Sequence, residues 1–382
     1  MAGEEVHFSL VMFSADSGTE GAMLIKSILM YTTRPTAFHI VCDEGAQSVL
    51  ESRISLVRRP RYDIRVVFYR VAREAMEARI RREGGIYTEH YSGIYGLMKL
   101  FIHEILPPTV KRSIFVDTDA IFISDPTLLW RRFDAFDPWE SADKPGTALS
   151  MPTHMDQSTP DWHDASKICS CVMLMDLEKL RKLRLMDSEH YRSDSHNDGR
   201  GALSPPAFVS MFGPPSPETG HYENVKLGDQ GYYWAIVAGR PDIFKHLPIE
   251  WEVSSCLQDM YGTGAELGDD AVSEEDETQR MINTANTAHA NEAILPKFLH
   301  FNCLWGTEHW YEWEGWADPS NSLTRRWLST VKHHVAYKWI WLNIHPAGRE
   351  LGADGVEPGK VTMNTVSDAK FADEAVFAGA SK

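Results

Sequence analysis

The sequence predicts an α/β fold with a mostly parallel central sheet and helices on both faces. Short apolar runs alternate with helix-period segments through the first half of the chain, which is the order of a doubly wound sheet. The later stretch Ser113 to Pro126 holds a short apolar run that ends abruptly in two carboxylates spaced by one residue, as a buried strand does where it opens into solvent. In order, Val6 to Phe13 reads as a strand, Glu20 to Tyr31 as a helix, Phe38 to Cys42 as a strand, Ala46 to Val57 as a helix and Asp63 to Tyr69 as a strand. Helices over Val71 to Glu83 and Ile94 to Leu106 then lead through Pro107 and Pro108 to the two-aspartate strand. Thr147 to Pro152 and Ile168 to Asp176 read as further buried strands, and Leu177 to Leu185 as a short basic helix. One domain is expected over residues 5–345, with loop insertions at 187–222 and 262–292, where Ser, Pro, Gly and acidic residues concentrate. The stretch 346–382 carries few large apolar residues and is expected to be a disordered tail.

The 382 residues carry a net charge of −16, which argues against a nucleic-acid partner, because a polyphosphate selects a cationic surface. The arginines between Arg53 and Arg82 are a local exception and read as a solvated face. Five cysteines (Cys42, Cys169, Cys171, Cys256, Cys303) without a Cys-x-x-Cys pair indicate neither a structural zinc site nor a disulfide framework. No apolar run is long enough to span a bilayer, so no membrane span is expected in this chain.

Asp117 and Asp119 stand two apart, so their side chains share one face and can hold one divalent cation, Mn²⁺ or Mg²⁺. Asp-x-Asp at a strand end has two main enzymatic meanings. In phosphatases of the haloacid dehalogenase type the first Asp is a nucleophile, here Asp117, but the motif then lies near the N-terminus. In metal-dependent glycosyltransferases it follows several βα units that have already built a nucleotide pocket, which matches its position here. A catalytically weak glycan- or nucleotide-binding module is the non-enzymatic alternative.

Several ordered motifs then carry a resemblance. Glu89-His90-Tyr91-Ser92-Gly93-Ile94-Tyr95-Gly96-Leu97-Met98-Lys99-Leu100, Leu106-Pro107, Val116-Asp117-Thr118-Asp119, the Val172 to Lys182 run, Gly228-Asp229-Gln230-Gly231, Leu247-Pro248 with Trp251, and Leu299-His300-Phe301-Asn302 follow one another from Val6 to Trp316. Together they resemble the family 8 glycosyltransferases, in particular the xylosyltransferase half of the LARGE-type bifunctional enzymes. The resemblance implies a GT-A fold of the nucleotide-diphospho-sugar transferase type and a retaining transfer from a UDP-sugar to a glycan or glycoconjugate acceptor. Xylose is the first expectation for the sugar, glucose or galactose the next. It implies Asp117, Asp119 and His300 as metal ligands, and Asp229 and Gln230 beside the anomeric carbon. Lys99 and Thr118 are expected at the donor, and Phe13, Ser14, Ala15 and Asp16 at the uridine. It also implies work in the Golgi lumen if an upstream membrane anchor is missing from this sequence, and a cytoplasmic place otherwise.

The chain departs from the family at three places. Cys169-Ser170-Cys171 stands where many members have Asn-Ser-Gly or Asn-Thr-Gly, Trp234 replaces an Asn, and Cys303-Leu304-Trp305-Gly306 lacks a phosphate-contacting Lys. The aromatics Trp305, Trp310, Tyr311, Trp313 and Trp316 read first as packing and second as an acceptor platform.

Overall fold

The computed structural model describes residues 4–153, 167–194, 201–255, 273–284, 290–304, 306, 309–344 and 357–375. Its strands are β1 (Val6–Met12), β2 (Thr36–Cys42), β3 (Ile64–Arg70), β4 (Arg112–Val116), β5 (Ala120–Phe122) and β6 (Leu149–Met151). They continue with β7 (Val172–Asp176), β8 (Phe244–His246), β9 (Val253–Ser254), β10 (Phe298–His300) and β11 (Val361–Val366). Eight form one sheet in the order β11-β3-β2-β1-β4-β7-β6-β8, and β5-β10-β9 form a small second one. β1 pairs in parallel with β2 and β4, and β7 runs antiparallel to both β4 and β6.

β2 is buried along its whole length, so its run Thr-Ala-Phe-His-Ile-Val-Cys shows no polar alternation. Helix Ala15–Tyr31, capped by the Ser14 hydroxyl, lays Ala22, Leu24, Ile25 and Ile28 into the same core as β1, β2 and β4. A second core gathers Leu97, Met98, Phe101, Phe115, Tyr232 and Tyr233, and a third Ile121, Val253, Leu299, Phe301 and Trp310. Helix Ile94 to Leu106 is not continuous. It divides into Gly93–Leu97, a 3₁₀ turn Met98–Phe101 and Ile102–Ile105. The Lys99 carbonyl accepts from both the Ile102 N–H and the Tyr233 hydroxyl, so the chain tightens there rather than continuing the α ladder.

Residues 357–375 differ from the disorder expected of 346–382. β11 adds in parallel to β3 from Val361↔Ile64 to Val366↔Tyr69. Ala369 and Phe371 are buried, Phe371 edge-on to Phe101, and Asp373 is wholly buried. An edge strand held by its backbone ladder needs few large apolar side chains, which is why composition alone misses it.

The 187–222 insertion is likewise packed where it is described. Helix Ser204–Phe212 sets Phe208 against Tyr222 and Tyr232. In the 262–292 insertion, helix Glu274–Arg280 is formed, and 262–272 and 285–289 lie outside the described residues. The basic stretch is not solely a solvated face: Arg79 is fully buried and bidentate to Glu104 at 2.8 Å, and Arg82 is paired with Asp373 at 2.7 and 2.8 Å. Cys303 is in a disulfide, a pairing that the cysteine spacing did not suggest.

Two core histidines give the stability a pH dependence. His39 lies on β2 between His7 (3.1 Å) and Tyr69 (3.0 Å), and burial pushes it down to about 3; His103 is held equally low by burial and the nearby Arg181 and Arg79. A histidine with a depressed folded value supplies stability above its unfolded value near 6.5 and loses it as pH falls towards 3. The cleft carboxylates Glu20 and Asp117, pushed up to about 7 by burial, act in the opposite sense, so the clean test is a difference. Between pH 7.5 and 5 the stability of wild type relative to His39→Asn is expected to shrink by about 2 kcal/mol in urea unfolding. A difference that stays constant over that window rules the reading out.

Candidate active site

The end of β4 delivers Asp117 and Asp119 into a cleft of about 770 Å³. The chain then turns into β5, and β10 returns antiparallel to it with His300 opposite Ala120, which sets the imidazole beside Asp119. His300 Nε2 is 3.4 Å from Asp119 Oδ1, and one ligand atom each of Asp117, Asp119 and His300 lie within 4.8 Å of one another. On its other side Nδ1 is 3.3 Å from Glu252 Oε1, a carboxylate that orients the ring. Burial opposes the charge on His300, but Asp119 outweighs it and holds the imidazole well above its ordinary value. Burial would also raise Asp119, yet His300 and Lys99 keep it below the usual range.

Lys99 is the cation of the floor. Its Nζ is 2.8 Å from Asp117 Oδ1 and 3.3 Å from Asp229 Oδ2, and these carboxylates outweigh its burial to keep it charged. Asp229 opens helix Asp229–Gly239. It is the first helical residue rather than the cap, and Gly228 takes the cap position at φ +57 without a side-chain hydrogen bond. A Cβ at Gly228 would also come within 3.3 Å of His90 Cβ, so a residue without a side chain suits the place twice over. Released from capping, the Asp229 carboxylate accepts from Ser170 Oγ at 2.7 Å, while Gln230 Oε1 accepts from the Ser170 N–H at 3.2 Å.

Phe13, Ser14, Lys99, Asp117, Thr118, Asp119, Asp229, Gln230 and His300 all line this one cleft. Ala15 and Asp16 do not; they form the first turn of the helix that Ser14 caps. Several lining residues were not singled out from sequence. Glu20 accepts from Thr118 Oγ1 at 2.9 Å, and burial together with Asp119 pushes it up to about 7. Its i, i+3 relation to Ser17, another lining residue, was the available signal. Tyr95 stacks on Phe13 with centroids 4.5 Å apart.

Two departures from the family pattern resolve locally. Ser170 supplies a hydroxyl to Asp229 next to where the amide would stand, and Trp234 turns into the core, donating its indole N–H to the Ile168 carbonyl. Trp310 and Trp316 are buried, with Trp310 stacked on Phe301 at 4.2 Å, so this part of the aromatic cluster is packing first; Trp305 lies outside the described residues.

The donor set fits a divalent cation. Two carboxylates and an imidazole converge, further carboxylates (Glu20, Asp229) crowd the same cleft, and a cation would relieve their mutual repulsion.

The chain is similar in sequence to the LARGE-type glycosyltransferases. Xylosyl- and glucuronyltransferase LARGE1 of Homo sapiens is 26% identical over 263 residues, 65% of this chain and 30% of its own length. LARGE1 of Gallus gallus is 32% identical over the same span, and LARGE2 of Mus musculus 37% over 133 residues, 35% of this chain and 18% of its own. The matched region is thus under a third of these relatives' length. No protein-family model matches the chain. Among solved structures, apo mouse xyloside xylosyltransferase 1 superimposes with a TM-score of 0.52 and 16% identity, covering 80% of this chain and all of the other. The fold is that of the GT-A glycosyltransferases.

Proposed function

We propose that this chain transfers a sugar, xylose before glucose or galactose, from a UDP-sugar to a glycan or glycoconjugate acceptor with retention at the anomeric carbon. The observation that carries the reading is the convergence in one cleft of Asp117, Asp119 and His300 with Lys99, Asp229 and Gln230. The names of the matched xylosyltransferases support the sugar class. Asp117, Asp119 and His300 would hold Mn²⁺ or Mg²⁺, which neutralises the charge on a departing UDP. Uracil would lie against the stacked rings of Phe13 and Tyr95, both of which line the cleft. Lys99, between Asp117 and Asp229, brings a positive charge to the diphosphate side of the sugar. Asp229 and Gln230, fixed by Ser170, present oxygens to an electron-deficient anomeric carbon. A luminal, oxidising compartment fits the disulfide at Cys303. Among the described residues no helix is long and apolar enough to cross a membrane.

A thermal-shift panel tests the reading. With Mn²⁺ present, UDP and the preferred UDP-sugar at 100 times their Kd are expected to stabilise the fold by about 2.7 kcal/mol. The same ligands with chelator should do nothing. Indifference to UDP, UDP-xylose, UDP-glucose and UDP-galactose in the presence of metal sinks the proposal, and a phosphoenzyme at Asp117 would move the chain to the phosphatase class.

A further inference from the structure

A second group of ligand atoms lies behind His300. Cys169 and Cys171 precede β7, Glu252 precedes β9, and His300 ends β10; one donor atom from each lies within 4.8 Å of the others. All four residues are buried, between 0% and 3% exposed, and both cysteines are reduced. We propose that Cys169, Cys171, Glu252 and Nδ1 of His300 form a binding site for one zinc ion, next to the cleft and distinct from the Asp117–Asp119 pair.

The donor set is the first argument. Two sulfurs, one imidazole nitrogen and one carboxylate oxygen form a tetrahedral complement that zinc accepts, whereas the oxygen-rich cleft suits Mn²⁺ or Mg²⁺. Spacing is the second. His300 Nδ1 is 4.0 Å from Cys169 Sγ and 3.3 Å from Glu252 Oε1. Donors bound to one tetrahedral zinc stand roughly 3.3 to 3.8 Å apart, so only small side-chain movements separate this cluster from a closed site. Burial is the third: a carboxylate and two thiols gathered out of water are stabilised by a shared cation. On binding, each thiol releases its proton to solvent, and the His300 imidazolium likewise gives up the proton on Nδ1, so that the freed lone pair takes the fourth position.

The position links the site to the cleft. Zinc on Nδ1 fixes the ring with Nε2 towards Asp119 and lowers the proton affinity of Nε2, which suits that atom to a second cation. The Asp117 N–H donates to the Cys171 carbonyl at 2.8 Å, and the Phe301 N–H to the Asp119 carbonyl at 2.8 Å, so the zinc ligands and the two-aspartate loop are joined through the backbone. His300 and Glu252 thereby become positioning residues, whether or not the cleft transfers a sugar.

The test is metal content by mass spectrometry on the full chain, loaded with Zn²⁺ and dialysed, together with the absorption spectrum after loading with Co²⁺. Wild type and Asp119→Ala are expected to keep one zinc per chain, and Cys171→Ser to lose it. Cobalt in wild type should show a near-ultraviolet thiolate charge-transfer band with intense tetrahedral visible bands. This spectrum decides the matter even if Cys171→Ser does not fold. Zinc retained by a folded Cys171→Ser, a cobalt spectrum without the thiolate band, or a peptide map showing Cys169 joined to Cys171 in the protein as isolated would each overturn the proposal. Loss of zinc in Asp119→Ala would also overturn it, because it would place the ion in the cleft instead.

Discussion

Asp119→Ala is expected to lower metal-dependent turnover of a UDP-sugar by about 10³-fold or more, since Lewis-acid stabilisation of a leaving group contributes several kcal/mol. The fold should remain. The Asp119 side chain is partly exposed; its contact with His300 is lost, but Glu252 still holds the ring at 3.3 Å, and the Asp119 backbone carbonyl, which accepts from Phe301 N–H, survives the substitution. Removing the carboxylate also relieves repulsion on Glu20 and Asp117, both of which it pushes upward. Initial rates with saturating Mn²⁺, beside circular dichroism of the variant, provide the measurement. A wild-type rate from a folded Asp119→Ala would falsify the metal assignment.

Arg79→Ala should have the largest effect on stability, about 3–5 kcal/mol, for the reason that makes half of a buried ion pair worse than none. Arg79 is fully buried, joins Glu104 through two 2.8 Å hydrogen bonds, donates to the Asp187 carbonyl at 2.8 Å, and lies 4.4 Å from the Phe101 ring centre. Asp373 approaches it at 3.5 Å. Alanine leaves Glu104 without its guanidinium and Asp373 with one guanidinium, that of Arg82, beside the Ser188 hydroxyl that donates to it at 2.6 Å. The denaturant midpoint reports the loss, and the double variant Arg79→Ala/Glu104→Leu should recover part of it because no unpaired carboxylate remains at position 104. A shift of the Arg79→Ala midpoint worth under about 1 kcal/mol would show that water or Arg82 compensates, and the network would not be the support it is taken for.

β1 to β3 were legible because each is a short apolar run bounded by turn residues, and their ends fall within two residues of the sequence reading. The two-aspartate element was legible for the same reason. His300 was not legible from local pattern: an imidazole at a strand end is ordinarily a core residue, and only its place in an ordered series of motifs marked it. Glu20, Glu252 and the grouping of Cys169 and Cys171 with His300 were not read at all. Their local signals are slight, the i, i+3 step from Ser17 to Glu20 and the two-residue spacing of the cysteines, because Glu20, Glu252 and the cysteines arrive on different elements.

The C-terminal segment was misread through composition. Its docking depends on a backbone ladder and on one carboxylate, Asp373, bonded to Arg82, a residue 291 positions away. Short-range pattern by itself determined the alternation of strands and helices and the carboxylate pair at the mouth of β4, since these follow from hydrophobic period and turn chemistry. The tertiary structure alone decided that His300 faces Asp119 on one side and Glu252 on the other, that Asp229 at the start of its helix faces Lys99, and that the C-terminal strand adds to the sheet edge. Ion pairs and ligand sets depend on distance in space, and that is set by the packing of the whole sheet rather than by any single segment of it.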